Sequence, residues 1–288
     1  MIAFLNGKYL PEERATVSVL DRAFLYGDGL FETIRLYDGW PFRWDQHFQR
    51  LQNGAEFLHI AIPFSKFALR EAAARLVSKN KIKNALLRIT LSRGVGVRGY
   101  SPAGAHQPTL AMTLHPLPKT RATLPPRWRL AVASARVPAG DRLANFKTCN
   151  KLANVLARAE AETAGADEAL LLNTDGEIAE AASSNFFWIE RETICTPPIA
   201  LGVLPGVTRA FVFELCRALD LKIVEKKIRP RAVLRASGAF LTMSSLGIVE
   251  VSALEGKILS RSPWVQKLAA EYDRAARRER GEGISRRR

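Results

Sequence analysis

The sequence predicts an α+β protein with a smaller N-terminal α/β domain and a larger, strand-rich C-terminal domain. The chain has 288 residues, which is enough for one large domain or two modest ones. Apolar residues make up 47% and charged residues 25%, so the chain can bury a core and is not disordered. The first half mixes helix and strand patterns, the second half is rich in strand patterns, and a proline-rich segment lies between them.

The proline-rich segment is HPLPKTRATLPPRW, which has four prolines in fourteen residues. Because proline fixes φ and lacks an N–H donor, this stretch is neither a helix nor a central strand. We therefore place a linker at 116–127, the N-terminal domain at 1–115 and the C-terminal domain at 128–273. The remaining residues, 274–288, form a basic tail that we expect to be disordered.

The N-terminal elements follow from periodicity, because strands alternate apolar and polar residues and helices repeat apolar residues every three or four positions. The predicted elements are a hairpin turning at Asn6-Gly7, strands in ATVSVL (15–20) and LFETIRLYDG (30–39), helices over 43–58 and 64–79, and strands in NALLRITLSR (84–93) and PTLAMTLH (108–115).

The C-terminal elements follow by the same rules. They are a strand in WRLAVASAR (128–136), a helix with the apolar face Leu152, Val155, Leu156 and Ala159, a hairpin in DEALLLNTDGEIAE (167–180), strands in NFFWIE (185–190) and TICT (193–196), a helix over 206–219, strands in LKIVEKKI (221–228), AFLTM (239–243) and GIVEV (247–251), and a C-terminal helix.

The net charge of +15 is unevenly distributed. Residues 72–140 contain twelve Arg and Lys and no Asp or Glu, which favours anionic ligands unless acidic residues from elsewhere fold over this stretch. The tail 274–288 holds seven Arg against two Glu. No aromatic residues alternate with these charges, so a solvated end is favoured over a nucleic-acid contact.

Several classes of protein are disfavoured. No apolar run approaches the ~18–20 residues of a membrane span, and the N-terminus lacks the features of a signal peptide. Cys149, Cys195 and Cys216 are odd in number and far apart, which fits a reducing cytoplasm. The four histidines show no metal-ligand spacing, so we expect no protein-bound metal.

RGVGVRGY contains Gly94-x-Gly96-x-x-Gly99, the spacing of a dinucleotide fingerprint. That fingerprint needs a helix after the glycines and an acidic residue about 20 residues further on. Here Ser-Pro-Ala-Gly follows, and the next acidic residue is Asp141. The segment is therefore either a surface hairpin or a loop presenting arginines, whose guanidinium groups suit carboxylates.

Four weak signals together suit one kind of chemistry. GVLPGVTR (202–209) leads into a predicted helix whose N-terminal N–H groups suit a phosphate, although an ordinary glycine turn is the alternative. Lys147 supplies an amine, although its spacing does not distinguish it from the other lysines. Glu180 supplies a carboxylate in a loop, for which simple exposure is the alternative, and Arg50 lies beside a helix face where snorkelling is usual. A reactive amine, an isolated carboxylate and a phosphate cradle suit pyridoxal phosphate, whose ring is an electron sink.

Six motifs in a fixed order resemble the fold-type IV (class IV) pyridoxal phosphate-dependent aminotransferases, which include branched-chain and D-amino acid aminotransferases and aminodeoxychorismate lyase. The resemblance runs from about Phe4 to Val251. The motifs are DRAFLYGDGLFETIR (21–35), HFQRL (47–51), FKTCNKLANVLA (146–157), the run from ADEALLL to EIAEAASSNFFWI (166–189), GVLPGVTR (202–209) and LTMSSLGIVEV (241–251).

The resemblance implies a D-amino acid aminotransferase-like fold of two domains, with pyridoxal 5′-phosphate at their interface and a homodimer that completes each site. Lys147 resembles the Schiff-base lysine, and Glu180 resembles the partner of the pyridine nitrogen. The implied phosphate contacts are Arg50, Gly206, Val207, Thr208, Ser244 and Ser245. The implied substrate contacts are Tyr26, Thr33, Arg35, Arg93 and Arg98, of which Thr33 is also a candidate catalytic residue.

Within the family, the sequence is most similar to aminodeoxychorismate lyase. RGVGVRGYS (93–101), Thr33 in FETIR and Trp188 in SSNFFWI look lyase-like, and Leu152 stands where branched-chain enzymes carry a tyrosine. Glu32 is shared with branched-chain enzymes, and the Arg-rich tail matches no family motif.

The resemblance implies conversion of 4-amino-4-deoxychorismate to 4-aminobenzoate and pyruvate, a step of folate biosynthesis. The alternative is an aminotransferase that acts on a D- or branched-chain amino acid and a 2-oxo acid. A nucleic-acid-binding protein or a non-catalytic relative leaves the ordered motifs unexplained. We expect a small anionic substrate and no membrane partner.

Overall fold

The computed structural model describes residues 1–117 and 125–285. The chain divides into two compact units. Within the described residues, the first comprises 1–117, 146–151 and 276–285, and the second comprises 125–145 and 152–275. Most of the predicted linker, 116–127, lies outside the described residues. Lys147 groups with the first unit, although its position in the sequence lies within the predicted C-terminal domain.

The first unit contains one sheet and three helices among its described residues. Its elements are β1 (Ile2–Leu5), β2 (Lys8–Pro11), α1 (Arg22–Tyr26), β3 (Gly29–Tyr37), β4 (Trp40–Pro41), α2 (Trp44–Leu58), α3 (Lys66–Asn80), β5 (Leu86–Ser92) and β6 (Thr109–His115). The strands are antiparallel in the order β2-β1-β6-β5-β3-β4.

The alternation of β3 separates its two faces. Leu30, Glu32, Ile34 and Leu36 are buried, and the apolar members of this set belong to the same core as Leu51 of α2 and residues of α3. The odd-numbered residues between them face the other side of the sheet. The hairpin predicted at Asn6-Gly7 joins β1 to β2, and both residues adopt the positive φ that such turns require.

The strand predicted at 15–20 is wrong. This segment contains no strand, and its apolar side chains, Val17, Val19 and Leu20, are exposed. Asp21 then caps the short helix α1 by accepting a hydrogen bond from the Ala23 N–H at 2.9 Å. A helix of five residues is too short to show the periodicity that reveals longer ones.

The second unit is built on a mixed sheet. Its elements are β7 (Arg127–Val137), α4 (Leu152–Thr163), β8 (Glu168–Asn173), β9 (Ile178–Ala181), β10 (Asn185–Glu190), β11 (Thr193–Thr196), α5 (Val207–Ala218), β12 (Ile223–Glu225), α6 (Pro230–Val233), β13 (Gly238–Met243), β14 (Gly247–Leu254), β15 (Lys257–Ile258) and most of α7 (Pro263–Ser285). The last residues of α7, 276–285, group with the first unit. The order is β12-β11-β10-β13-β14-β7-β8-β9, with β15 beside β14.

Strands β8 and β13 of the second unit are buried along their whole length, and β10 is buried except at its last residue. Continuous apolar runs such as NFFWI therefore mark strands covered on both faces, rather than strands with one wet face. The core includes Phe186, Trp188 and Leu241. Tyr272 of α7 packs on Gly247, where an added Cβ would lie 2.7 Å from its ring.

The helix predicted from the apolar face at Leu152, Val155, Leu156 and Ala159 is confirmed as α4. This face is exposed, at 65% for Leu152 and 61% for Val155, whereas Ala157 and Ala161 are buried. In the tail predicted to be disordered, 274–288, helix α7 continues through Ser285. Ala276 within it is buried, one turn after the buried Tyr272. No helix within the described residues combines the length and apolar character needed to cross a membrane.

Candidate active site

The segment around Lys147 extends the first unit's sheet. The Phe31 N–H donates to the Lys147 carbonyl at 2.9 Å, and Leu30 forms an antiparallel bridge with Thr148. This pairing lies on the edge of β3 away from β5, because β5 pairs with the same residues on the other edge. Lys147 is therefore the cross-strand neighbour of Phe31, and the two side chains share a face.

We call this face the Lys147 face and define it by Phe31, Thr33, Arg35, Arg88, Thr90 and Lys147. Register places Thr33 directly opposite Arg88 and Phe31 opposite Thr90. The Lys147 ammonium lies 4.6 Å from the centre of the Phe31 ring, and the Arg88 guanidinium carbon lies 4.0 Å from it. One aromatic ring thus holds two cations beside the Thr33 strand position.

Arg88 is a site residue that sequence reasoning missed. It is half-buried, and burial lowers the pKa of its guanidinium from the usual 12.5. Its Nε donates to Thr90 Oγ1 at 3.3 Å, and it forms no ion pair with an acidic residue in the described chain. A partly buried guanidinium without a carboxylate partner is suited to an incoming anion. The sequence did offer a signal for Arg88, because it is a charged residue inside a strand between the apolar Leu87 and Ile89, which are both buried.

The opposite face of β3 holds a buried charge network. Glu32 accepts two hydrogen bonds from Arg50, to Oε1 from Nε and to Oε2 from Nη2, each 2.7 Å long, and a third from His47 Nδ1 at 2.7 Å. Burial raises the pKa of Glu32, but the charges and hydrogen bonds of its two partners outweigh this and lower the pKa to about 2. Glu32 therefore fixes the orientation of the guanidinium group of Arg50, a predicted phosphate contact, by binding its Nε and Nη2 atoms.

The loop after β5 is fastened to α1. Arg22 donates to Asp28 at 2.8 Å and to the carbonyls of Gly99 and Ser101 at 2.9 and 3.0 Å. Arg93 donates to Asp28 through Nε and Nη2 at 2.7 and 3.0 Å, and its remaining hydrogen bonds include the Leu58 carbonyl at 2.8 Å. These bonds hold Arg93 within the fold, and its expected substrate contact stays a prediction.

The other predicted substrate contacts have different surroundings. The Tyr26 hydroxyl accepts from the Gly99 N–H at 3.0 Å, which ties it to the same loop. Arg98 is exposed and makes no hydrogen bond or ion pair within the described residues. Arg35 lies over the Tyr37 ring, 5.0 Å from its centre. Arg98 is thus the loop arginine best able to bind a ligand.

In the second unit, Glu180 lies on β9 at the start of a hydrogen-bonded cluster. Its Oε2 accepts from the Leu204 N–H at 3.0 Å and from Asn185 Nδ2 at 3.2 Å. Asn185 Nδ2 also donates to the Leu204 carbonyl at 2.9 Å. Glu180 is therefore not the exposed loop carboxylate of the alternative interpretation, because it is half-buried and the segment before α5 holds it in place.

The N-terminus of α5 is open to a ligand. Gly206 is its N-cap residue, and no side chain caps the helix there. A Cβ added to Gly206 would lie 2.0 Å from Asn185 Oδ1, so only glycine fits this approach. The next two residues, Val207 and Thr208, are buried and begin the helix with N–H groups that lack intrahelical partners.

Two buried hydroxyls lie around the same cluster. Thr242 is the cross-strand neighbour of Asn185, and Ser184 directly precedes it. Neither Thr242 Oγ1 nor Ser184 Oγ has a hydrogen-bond partner among the described residues. Buried hydroxyls are normally paired, so their position is consistent with a polar ligand. Ser244 and Ser245 follow in the turn between β13 and β14.

The predicted site residues thus form two sets. Lys147, Thr33 and Arg35 share a face of the first unit's sheet, on which Arg50 does not lie. Glu180 is joined through Asn185 and Leu204 to the segment that leads into α5.

Comparison with known proteins identifies the family. The class IV amino-transferase model matches residues 29–254. A putative branched-chain-amino-acid aminotransferase of Methanocaldococcus jannaschii is 33% identical over 260 residues, 90% of each chain. An aminodeoxychorismate lyase of Bacillus subtilis is 32% identical over 254 residues, 88% of this chain and 86% of the other.

The fold agrees with solved structures. The branched-chain aminotransferase of the archaeon Thermoproteus uzoniensis, solved with norvaline, superposes with a TM-score of 0.89 at 29% identity, over 96% of this chain and 94% of the other. The mixed α/β fold predicted from the sequence is therefore confirmed. A further branched-chain aminotransferase structure with the same TM-score, at 28% identity, contains pyridoxamine 5′-phosphate. The chain belongs to the class IV aminotransferases, a family of enzymes that use pyridoxal phosphate.

Proposed function

We propose that this enzyme is a 4-amino-4-deoxychorismate lyase, which forms 4-aminobenzoate and pyruvate. The observation that carries the proposal is the Lys147 face, where a half-buried Arg88 without an acidic partner in the described chain lies opposite Thr33. This substrate has two carboxylates and an ether leaving group. Cations and a hydroxyl beside the lysine match those groups.

The second unit's residues fit pyridoxal phosphate. The N-terminus of α5, which no side chain caps, offers backbone N–H groups to a phosphate, and Thr242 and Ser184 offer buried, unpaired hydroxyls. We infer that the N–H groups of Val207 and Thr208 hold the phosphate. Gly206, Ser244, Ser245 and Arg50 complete the proposed phosphate contacts.

Lys147 and Glu180 have the two chemical roles in this proposal. When bound, pyridoxal phosphate is an electron sink that stabilises negative charge on the substrate carbon. Lys147 is the residue that would hold the cofactor through its amine, and its Nζ would take the proton from C4 of the substrate. Glu180 holds a proton at the ring nitrogen, and the Leu204 N–H keeps its carboxylate in one orientation.

Arg88 and Arg98 bind the substrate carboxylates, and Thr33 positions the leaving group. A guanidinium–carboxylate pair is charge-assisted and strict in geometry, which orients the substrate for proton removal. Arg35 lies on the same face and Tyr26 lies on α1, and both remain proposed substrate contacts. The ether group leaves as enolpyruvate, which takes up a proton to give pyruvate. The ring that remains is aromatic, and aromatisation supplies much of the driving force.

An aminotransferase acting on a D- or branched-chain amino acid is the second candidate, and the Methanocaldococcus jannaschii relative favours it. The same lysine and carboxylate serve both reactions. A branched-chain amino acid, however, has a single carboxylate and an apolar side chain, so it offers fewer anionic groups to the arginines than aminodeoxychorismate does. The polar Lys147 face therefore favours the lyase.

The two reactions are separated by one assay. The purified enzyme, loaded with pyridoxal phosphate, is given aminodeoxychorismate without any oxo-acid acceptor, and pyruvate and 4-aminobenzoate are measured. Equal amounts of both products support the lyase. Turnover only with an amino donor and 2-oxoglutarate would overturn it in favour of the aminotransferase.

We also propose that the enzyme is a cytoplasmic homodimer. Exposed apolar side chains cluster in the first unit, where Arg22 fastens the 94–101 loop to α1. We call them the α1 patch: Val17, Val19, Leu20, Phe24, Leu25, Val95, Val97 and Tyr100. Apolar patches of this kind mark association surfaces, and like chains associate most often as twofold dimers.

A further inference from the structure

Asn185 connects two parts of the second unit that have separate proposed roles. Its Nδ2 has two hydrogens, and both are used: one goes to Glu180 Oε2 at 3.2 Å and the other to the Leu204 carbonyl at 2.9 Å. The Leu204 N–H donates to the same Glu180 oxygen at 3.0 Å. The three residues therefore form a closed hydrogen-bonded ring, with Asn185 as the side chain that joins β9 to the segment before α5.

The amide oxygen of Asn185 lies against Gly206, the residue that precedes the first turn of α5. Asn185 Oδ1 approaches Gly206 so closely that a Cβ there would be 2.0 Å away. Asn185 itself is 5% exposed and is fixed in β10 by its register with Thr242 of β13. One rigid side chain therefore controls where the Glu180 carboxylate lies relative to the first turn of α5.

The chemistry of the ring requires an amide. Aspartate at this position would place an acceptor against two further acceptors, the Glu180 carboxylate and the Leu204 carbonyl, and add a like charge. Leucine has nearly the same volume but no donor. A hydrogen bond to a charged group contributes about 1.5–3 kcal/mol, so either change removes a strong restraint on Glu180.

We propose that Asn185 is a positioning residue that couples the carboxylate at the cofactor's ring nitrogen to the helix end that binds its phosphate. It acts through Glu180 and Gly206 and touches no reacting atom. The inference rests on the proposed function, because it needs the roles of Glu180 and of α5 in binding the cofactor. The inference adds to the proposed function a residue, Asn185, whose amide keeps the Glu180 carboxylate and the N-terminus of α5 at a fixed distance from each other.

The test compares two ligands of the apoenzyme: pyridoxal phosphate and its 1-deaza analogue, in which carbon replaces the ring nitrogen. Both have the same phosphate and aldehyde, but only the first can share a proton with Glu180. Dissociation constants are measured for the wild type, Asn185→Leu, Asn185→Asp and Glu180→Gln. Asn154→Leu is the matched control, since Asn154 Nδ2 donates to the Ala182 carbonyl at 2.8 Å in the same unit and does not contact Glu180.

We expect the wild type to prefer pyridoxal phosphate, and Asn185→Leu to reduce that preference about tenfold. Asn185→Asp should reduce it as well, which keeps the test valid if the leucine variant does not fold. In the Glu180→Gln background, Asn185→Leu should change the preference little, because the interaction through which it acts is gone. The control should keep the wild-type preference.

Equal weakening of both ligands by the Asn185 variants would overturn the inference, since it would show an effect on the shared phosphate or on folding and none through Glu180. Additive effects of Asn185→Leu and Glu180→Gln would overturn it as well. Failure of the proposed function looks different: the wild type would bind neither ligand, or Glu180→Gln would leave the preference unchanged.

Discussion

Arg88 has a half-buried guanidinium on the Lys147 face and no acidic partner within the described residues. Replacing it with glutamine should raise KM for the anionic substrate about ten- to a hundredfold, because a charge-assisted pair is lost. Steady-state kinetics would measure this, with Arg75→Gln on the exposed side of α3 as the control. If Arg88→Gln and the control have equal KM values, Arg88 does not bind substrate.

Glu32 should make the stability of the protein depend on acid. Its pKa in the fold is about 2 against an ordinary value of 4.5, so the stability it contributes is present above pH 4.5 and is lost as pH falls towards 2. We expect the Tm of the apoenzyme to fall less steeply over this range in Glu32→Gln than in the wild type. Glu56→Gln, an exposed change on α2, is the control.

The absolute stability of Glu32→Gln is expected to be lower, because Arg50 and His47 lose a buried charged partner. Only the slope of Tm against pH separates the titration of Glu32 from the loss of these contacts. Identical slopes in wild type and variant would show that Glu32 does not govern the acid response. Burial also lowers the pKa of His47, which acts in the same direction below pH 6.5.

Helix α5 gives a prediction about the cofactor's phosphate. Gly206→Ala introduces no backbone strain, since φ is −66°, but its Cβ would lie 2.0 Å from Asn185 Oδ1. The first turn of α5 must then shift, so affinity for pyridoxal phosphate should fall at least about tenfold. Fluorescence titration of the apoenzyme measures this affinity. Unchanged affinity would show that the phosphate does not bind at this helix end.

The succession of most strands and long helices along the chain could be predicted, because the sequence signals for these elements are local. Periodicity located α2 and α3, and Asn6-Gly7 located the turn from β1 to β2, where both residues have positive φ. The helix α1 and the loop at 15–20 could not be predicted, because their conformations depend on contacts distant in sequence. One such contact is Thr109 Oγ1, which donates to Asp21 at 2.9 Å.

The candidate site was predictable only where a motif carries the chemistry. Lys147, Glu180 and the GVLPGVTR segment were found in that way. Arg88 was not, because its nearness to Lys147 follows from the register of β3 with β5 and with the Lys147 segment. The Glu32 network offered a signal that was not used: a carboxylate at an apolar-face position, with a histidine and an arginine three residues apart on the next helix.

The α1 patch predicts how the whole molecule assembles. Phe24 is 71% exposed within the patch, whereas Phe67 is 74% exposed on α3 and lies outside it. Phe24→Glu should convert a dimer to a monomer, measured as mass by light scattering after gel filtration, because it places a charge in an apolar interface. Phe67→Glu should leave the mass unchanged. A monomeric wild type, or a dimeric Phe24→Glu, would contradict the proposed interface.

The apolar face of α4 is exposed, although the periodicity that predicted the helix was correct. Leu152, Val155 and Leu156 do repeat as a helix face does, and the helix lies where predicted. An apolar stripe therefore predicts that a helix forms, but it does not show that the stripe is buried within the same chain.

The covalent attachment of the cofactor is tested most directly by reducing the pyridoxal phosphate-loaded enzyme with borohydride and locating the label by peptide mass spectrometry. The account predicts a phosphopyridoxyl group on the peptide that contains Lys147 and on no other lysine. A label on a different lysine, or no label after loading, would contradict it.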